Sequence, residues 1–296
     1  MTDYKKPISD FRNTLLGEIS YAFGFPRDGW QRKVLTPIFW LPVNKFSRII
    51  AGFDHNVQEY GLSFAARSLI RPFVKSTRAF GLENIPSKGP LVIASNHPGA
   101  YDGFVITSYI PRNDLKVVVS GVPFLMNLPA SREHLIYTSA HTQGRMRTVR
   151  EILRHLKEGG ALLTFPSGKI DPDPAISDCA EMALEAWSSS LALILRKVPE
   201  TKILPAMVSG VLSSAWLRNP VARIQREKWR QQKLAEFFQI MQQIFFPNSI
   251  RLSPRVIFGE ALDYDQLRNK AKEKQIMSEI IIQAKKLYKP TGNAGC

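Results

Sequence analysis

His97 and Asp102 stand with four residues between them in the stretch Leu91-Val-Ile-Ala-Ser-Asn-His97-Pro-Gly-Ala-Tyr-Asp102-Gly103. A carboxylate brought back onto an imidazole fixes its tautomer and raises its basicity, which equips a histidine to take a proton from a hydroxyl. A turn histidine followed by Asp102 as a helix N-cap is the plainer alternative, and the spacing alone leaves both open. The four apolar residues from Leu91 read as a buried strand that ends at Ser95 and Asn96, and Pro98-Gly99 turns the chain sharply. A turn at the end of a strand is where an α/β fold exposes its working groups.

The elements that would position this turn alternate in kind. Residues 1–75 read as helical, with a turn at Phe25-Pro-Arg-Asp-Gly29 and a helical repeat through Val57, Tyr60, Phe64 and Leu69 that stops at Arg71-Pro72. Strands are expected at 91–94, 115–120, 134–138, 161–165, 202–209 and 255–258, and helices at 104–110, 144–157, 180–197 and 221–246 and near the C-terminus. Such alternation predicts an α/β fold: a mostly parallel sheet flanked by helices on both faces, with an N-terminal helical appendage. The division expected is an N-terminal helical segment at 1–75 and a main domain at 76–296. Pro205 lies inside the strand at 202–209, and proline suits a strand edge, a bulge or a strand end.

Forty Lys and Arg against twenty-five Asp and Glu give the 296-residue chain a formal charge of +15, which favours anionic partners. The N-terminus leads into no long apolar run, so no secretory signal is read, and no window is apolar enough to span a bilayer. A membrane contact would therefore be peripheral. Trp30, Phe39 and Trp40 among basic residues suit either a lipid interface or packing on the core. The same choice faces the stripe Leu234, Phe237, Phe238, Met241, Ile244 and Phe245, which follows a basic segment and is expected to be shared between core and lipid. Cys179 and Cys296 suggest no disulfide framework and no metal site, which points to a reducing compartment. Asp171 and Asp173 among prolines read as a solvated turn with too few ligands for a metal. His55, His134, His141 and His155 read as structural or surface residues, with His141 the one worth testing.

In order along the chain, Asn96-His-Pro-Gly-Ala-Tyr-Asp102, Phe165-Pro166-Ser167-Gly168, Pro205 within its apolar strand, and Phe258-Gly259-Glu260 resemble the motifs of the glycerolipid acyltransferases, the lysophosphatidate and glycerol-phosphate acyltransferase family. The resemblance covers roughly residues 76–265. It departs at Ser167, where the family usually carries Glu, and near Ile136 to His141, where it usually carries Arg; Arg145 is the nearest substitute.

The resemblance implies acyl transfer from acyl-CoA or acyl carrier protein to the hydroxyl of a lysophospholipid or a glycerol-phosphate-like acceptor. His97 would be the general base, oriented by Asp102. Substrate contacts would fall to Gly144, Arg145, Phe165, Pro166, Ser167, Gly168 and Pro205. Backbone N–H groups of the 166–168 turn are candidate oxyanion donors, and Gly144 and Arg145 at a helix start suit an anion. No metal or cofactor is called for, and the absence of G-x-S-x-G leaves no covalent nucleophile in view. The expected setting is the inner face of a membrane, reached from the cytoplasm, with an anionic membrane surface and a lysolipid acceptor as partners and no nucleic acid. A catalytically silent lipid-binding module and a coenzyme-independent transacylase are the rivals; possession of both His97 and Asp102 weighs against the first.

Overall fold

The computed structural model describes residues 12–17, 20, 25–120, 128–138, 142–268 and 273–288. Its centre is one seven-stranded sheet. Five strands run parallel: β2 (Leu91–Ser95), β3 (Leu115–Ser120), β4 (Leu135–Thr138), β5 (Ala161–Thr164) and β6 (Lys202–Ser209). The spatial order is β1-β7-β6-β2-β5-β3-β4, and β7 (Arg255–Phe258) pairs antiparallel to β6 and parallel to the short β1 (Arg78–Phe80). The mostly parallel α/β sheet is as the alternation of elements foretold. Strand β1 escaped the sequence because three residues carry too little pattern.

Side chains along β2 alternate between two cores. Leu91 and Ile93 join a cluster with Ile50, Phe53, Val105, Ile106 and Ile244, whereas Val92 and Ala94 join one with Leu156, Leu191, Leu195 and Ile280. The sheet is thus buried on both faces, which is why its strands read as unbroken apolar runs. The first face is covered by α1 (Gln31–Tyr60), α2 (Leu62–Ile70) and α3 (Asp102–Thr107). The second is covered by α4 (Thr142–Lys157), α6 (Ser190–Lys197) and α11 (Glu273–Lys286).

Two helices are interrupted where the sequence suggested continuity. The 180–197 segment forms α5 (Ala180–Ala183), a 3-10 turn, and then α6. The 221–246 segment divides into α8 (Pro220–Arg223) and α9 (Lys228–Phe245), the short α7 (Ser214–Leu217) preceding both. Asn219 caps α8 by accepting the Val221 N–H at 2.9 Å, and Ile224 in the break is exposed. The short α10 (Tyr264–Arg268) leads toward α11.

Pro205 lies mid-strand in β6, beside Ala94 of β2. The β6–β7 ladder breaks there: Ala206 faces Phe258, but Ile203 faces Leu262, so two residues of β6 oppose three of the segment that follows β7. This is a bulge, one of the places expected for a proline. Backbone N–H groups alternate along β6, with Lys202 bonding toward β2 and Ile203 toward Leu262, so the N–H missing at Pro205 falls on the bulged side. The Pro205 carbonyl still accepts the Gly259 N–H at 2.8 Å.

Of the two cysteines, Cys179 stands just before α5, while Cys296 lies outside the described residues. Among the described residues no helix is long and apolar enough to cross a membrane.

Candidate active site

The site forms where β2 leaves the sheet at its carboxyl end. Asn96 continues the ladder with its side chain: Nδ2 donates to the Val208 carbonyl at 2.9 Å and Oδ1 accepts the Val208 N–H at 2.8 Å. A buried amide thus replaces the backbone pairing that Pro98 would interrupt, and it fixes where the next residue, His97, emerges.

His97 Nδ1 lies 2.8 Å from Asp102 Oδ2, with 32% of the His97 side chain exposed and Asp102 buried. The same carboxylate accepts the Gly99 N–H at 2.9 Å on Oδ2 and the Gly103 N–H on Oδ1. Asp102 opens α3 and spends itself on the imidazole and the intervening loop; no side chain caps that helix. The carboxylate-held histidine is therefore the reading that holds. Burial alone would lower the imidazolium pKa, but it is outweighed by the charge and hydrogen bond of Asp102, with Glu236 and Asp171 adding to it. The His97 pKa is raised to about 9. With Nδ1 on the carboxylate, Nε2 is the nitrogen that can meet a substrate.

The loop after β5 closes on the same histidine. The Phe165 ring lies against the imidazole at 4.5 Å between centroids. Gly168 turns with φ +63° and gives its N–H to the Phe165 carbonyl at 3.0 Å. Since Pro166 has no N–H, this turn offers an oxyanion only the Ser167 N–H, fewer donors than expected. The Ser167 hydroxyl lies 2.9 Å from the Lys169 carbonyl and 3.0 Å from Asp171 Oδ2.

Asp171 and Asp173 overturn the solvated-turn reading, because both are buried. Asp171 Oδ2 accepts the His97 N–H at 2.9 Å, and the Asp171 N–H returns to the His97 carbonyl at 2.8 Å. Its Oδ1 is buried without a hydrogen-bond partner. Burial pushes the Asp171 carboxyl up, against the His97 and Ser167 hydrogen bonds that lower it. Asp173 accepts the N–H groups of Ala175, Gly210, Val211 and Leu212 at 2.8 to 3.1 Å, tying this loop to the exit of β6. Among the described residues no three His, Cys, Asp or Glu gather as a metal site.

Sequence reasoning missed the polar face of α9. Its expected apolar stripe does pack on the protein, with Leu234 and Ile244 buried, Phe237 edge-on to Phe39, and Phe238 stacked on Trp216. The face over the site is polar. Gln232 Nε2 reaches the Pro98 carbonyl at 2.7 Å and that of Asp171 at 3.0 Å. Glu236 Oε1 accepts the Ala100 N–H. Gln239 bonds Ser213 N and Val211 O, and Gln243 joins Tyr101 Oη to the Phe73 carbonyl. The spacing of 232, 236, 239 and 243 is helical and was visible in the sequence as a polar stripe.

Other expected residues lie apart. Gly144 and the exposed Arg145 are in the first turn of α4, which follows the edge strand β4. That strand is three places from β2, about 14 Å at the usual strand spacing. The Gly144 carbonyl accepts the Thr148 hydroxyl at 3.0 Å. Pro205 is buried inside the sheet and serves its bulge. His141 lies outside the described residues. His134 and His155 bond backbone carbonyls of Leu115 and Ala161, in keeping with a structural reading.

The family model described as Acyltransferase matches residues 77–209. Among solved structures the chain is similar to the crystal structure of the 1-acyl-sn-glycerophosphate (LPA) acyltransferase PlsC from Thermotoga maritima. That match has 13% identity and a TM-score of 0.48, and it covers 93% of this chain and 92% of the other. No curated protein matches the chain in sequence. Residues 77–209, which the Acyltransferase model matches, run from β1 through the histidine turn to the end of β6 and so contain both His97 and Asp102.

Proposed function

We propose that this chain transfers a fatty acyl group from a thioester, acyl-CoA or acyl carrier protein, to the hydroxyl of a lysophospholipid or a glycerol-phosphate-like acceptor. The observation that carries the reading is the 2.8 Å contact between His97 Nδ1 and the buried Asp102 carboxylate, made at the end of a central parallel strand with the imidazole partly exposed. In its neutral form His97 takes the acceptor hydroxyl proton on Nε2 as the oxygen attacks the thioester carbonyl carbon. The oxyanion collapses, the carbon–sulfur bond breaks, and the departing thiolate takes the proton from His97. The products are an ester and a free thiol. Phe165 walls one side of the imidazole, and Asp102 stabilises the imidazolium between the two proton transfers.

The reaction is proposed to run at an anionic membrane surface, approached from the cytoplasmic side. The N-terminal half of α1 and its N-cap residue support this with an apolar row at helical spacing, Trp30, Val34, Ile38 and Leu41, each more than half exposed. Its C-terminal half instead buries Ile50, Phe53 and Val57 in the core. The net charge of +15 suits anionic headgroups.

The test is transfer of labelled acyl groups from both thioester donors to lysolipids, glycerol phosphate and unphosphorylated acceptors. Thioester-dependent product with one acceptor class is the expected result. Absence of product throughout, from protein that still binds vesicles, would favour a lipid-binding module instead.

A further inference from the structure

Three carboxylates act on His97, and one of them comes from outside the family span. Asp102 begins α3 and Asp171 lies in the loop after β5, both within residues 77–209; Glu236 is delivered by α9. We propose that Glu236 is a positioning residue for the His97–Asp102 pair, holding the backbone of the loop between them and placing a third carboxylate within electrostatic reach of the imidazole. The proposal rests on the acyl-transfer reading above and names a residue that the family motifs do not contain.

The geometry is specific. Glu236 Oε1 accepts the N–H of Ala100, midway between His97 and Asp102. The same oxygen lies so close to Gly99 that a Cβ built there would push the Glu236 carboxylate aside. One helical turn earlier, Gln232 holds the Pro98 carbonyl, so two consecutive turns of α9 grip the loop that sets the His97–Asp102 distance. Neither contact is needed for α9 to fold, because its apolar residues already bind it to Phe39, Trp216 and the core.

The charges facing this group are few. Asp102 repels the Glu236 carboxylate, while His97 and Lys233 attract it. Burial pushes Glu236 up to about 7, against the Ala100 hydrogen bond. Above that pH its charge adds to those of Asp102 and Asp171 in favouring the imidazolium. Removing the charge should therefore make His97 a weaker base that is free at lower pH.

The test is the ring titration of His97 followed by NMR in the free, full-length protein, its signal assigned by loss in His97→Ala. Glu236→Gln keeps an oxygen for the Ala100 N–H and removes only the charge. Its His97 midpoint is expected to fall by up to about 1 unit, and the acid limb of kcat/KM should move down with it. Glu236→Ala removes the acceptor as well. It should show the same lowered midpoint, with kcat reduced further and faster hydrogen exchange at the Ala100 amide. A His97 midpoint in Glu236→Gln equal to that of the wild type would overturn the proposal, whatever the activity. Unchanged exchange at Ala100 in Glu236→Ala would overturn its loop-holding part. The titration needs no substrate, so it stays readable if no acyl transfer is found.

Discussion

Asp171 grips the backbone of His97 on both sides, its carboxylate accepting the histidine N–H at 2.9 Å and its own N–H returning to the histidine carbonyl at 2.8 Å. The loop after β5 and the turn after β2 are thereby joined at the imidazole itself. Ser167 completes the join from the position where the acyltransferases that the sequence resembles usually carry Glu, placing its hydroxyl 3.0 Å from Asp171 Oδ2.

Introducing the family residue should harm this protein. In Ser167→Glu a second carboxylate would face the buried one of Asp171, and like charges at that distance cannot both ionise cheaply. Loss of about 1–3 kcal/mol in stability is expected, with kcat down about tenfold or more as His97 shifts. Ser167→Ala should lose only about 1 kcal/mol. Thermal unfolding and acyl-transfer rates on the two variants check this, and a Glu variant as stable and active as wild type would contradict it.

The pH profile follows from His97. With its pKa raised to about 9, kcat/KM should climb about tenfold per pH unit below that value and level off above it. Asp102→Asn removes the strongest influence that raises the pKa while burial, which lowers it, remains. Its acid limb should therefore move below 9 while the plateau falls by about 10²–10⁴. Stability carries the matching signature. The folded pKa is above the unfolded value of 6.5, so the stabilisation is fully present below pH 6.5 and is lost as pH rises through about 9. Unfolding curves across that window, in wild type and Asp102→Asn, measure it.

Asn96 should prove a structural residue beside the catalytic pair. Asn96→Ala leaves the buried N–H and carbonyl of Val208 without partners, at a cost of about 2–5 kcal/mol for the two. Denaturant unfolding gives the value. Asn96→Asp, which sets a carboxylate oxygen against the Val208 carbonyl in a buried site, should cost at least as much as alanine.

Much of this was legible in the chain. The histidine turn, the strands on either side and an irregularity at Pro205, though not its kind, could be read because apolar runs and prolines carry local meaning. The polar grip on the turn could not. Asp171 and Asp173 looked like loop carboxylates, since nothing local distinguishes a solvated aspartate from one that receives backbone N–H groups from 74 or 37 positions away. Gln232 and Glu236 were overlooked for a different reason: the search along α9 followed its apolar side, and polar residues at helical spacing usually mark a solvated face.

The exposed row on α1 has its own test. Trp30→Glu combined with Ile38→Glu should leave unfolding unchanged, because both side chains are already in solvent. Partition to vesicles containing anionic lipid should drop by at least about tenfold, as burying each such side chain is worth about 1.5–3 kcal/mol. Vesicle binding equal to wild type would remove α1 from the membrane contact.

The most direct measurement is single-turnover acyl transfer by wild type and His97→Ala, with the preferred acceptor and labelled acyl thioester at saturating concentration. Loss of about 10²–10⁴ in rate, with unchanged acceptor binding and folding, is the expected result. A His97→Ala protein that transfers the acyl group at the wild-type rate would show that the base lies elsewhere and would contradict the mechanism at its centre.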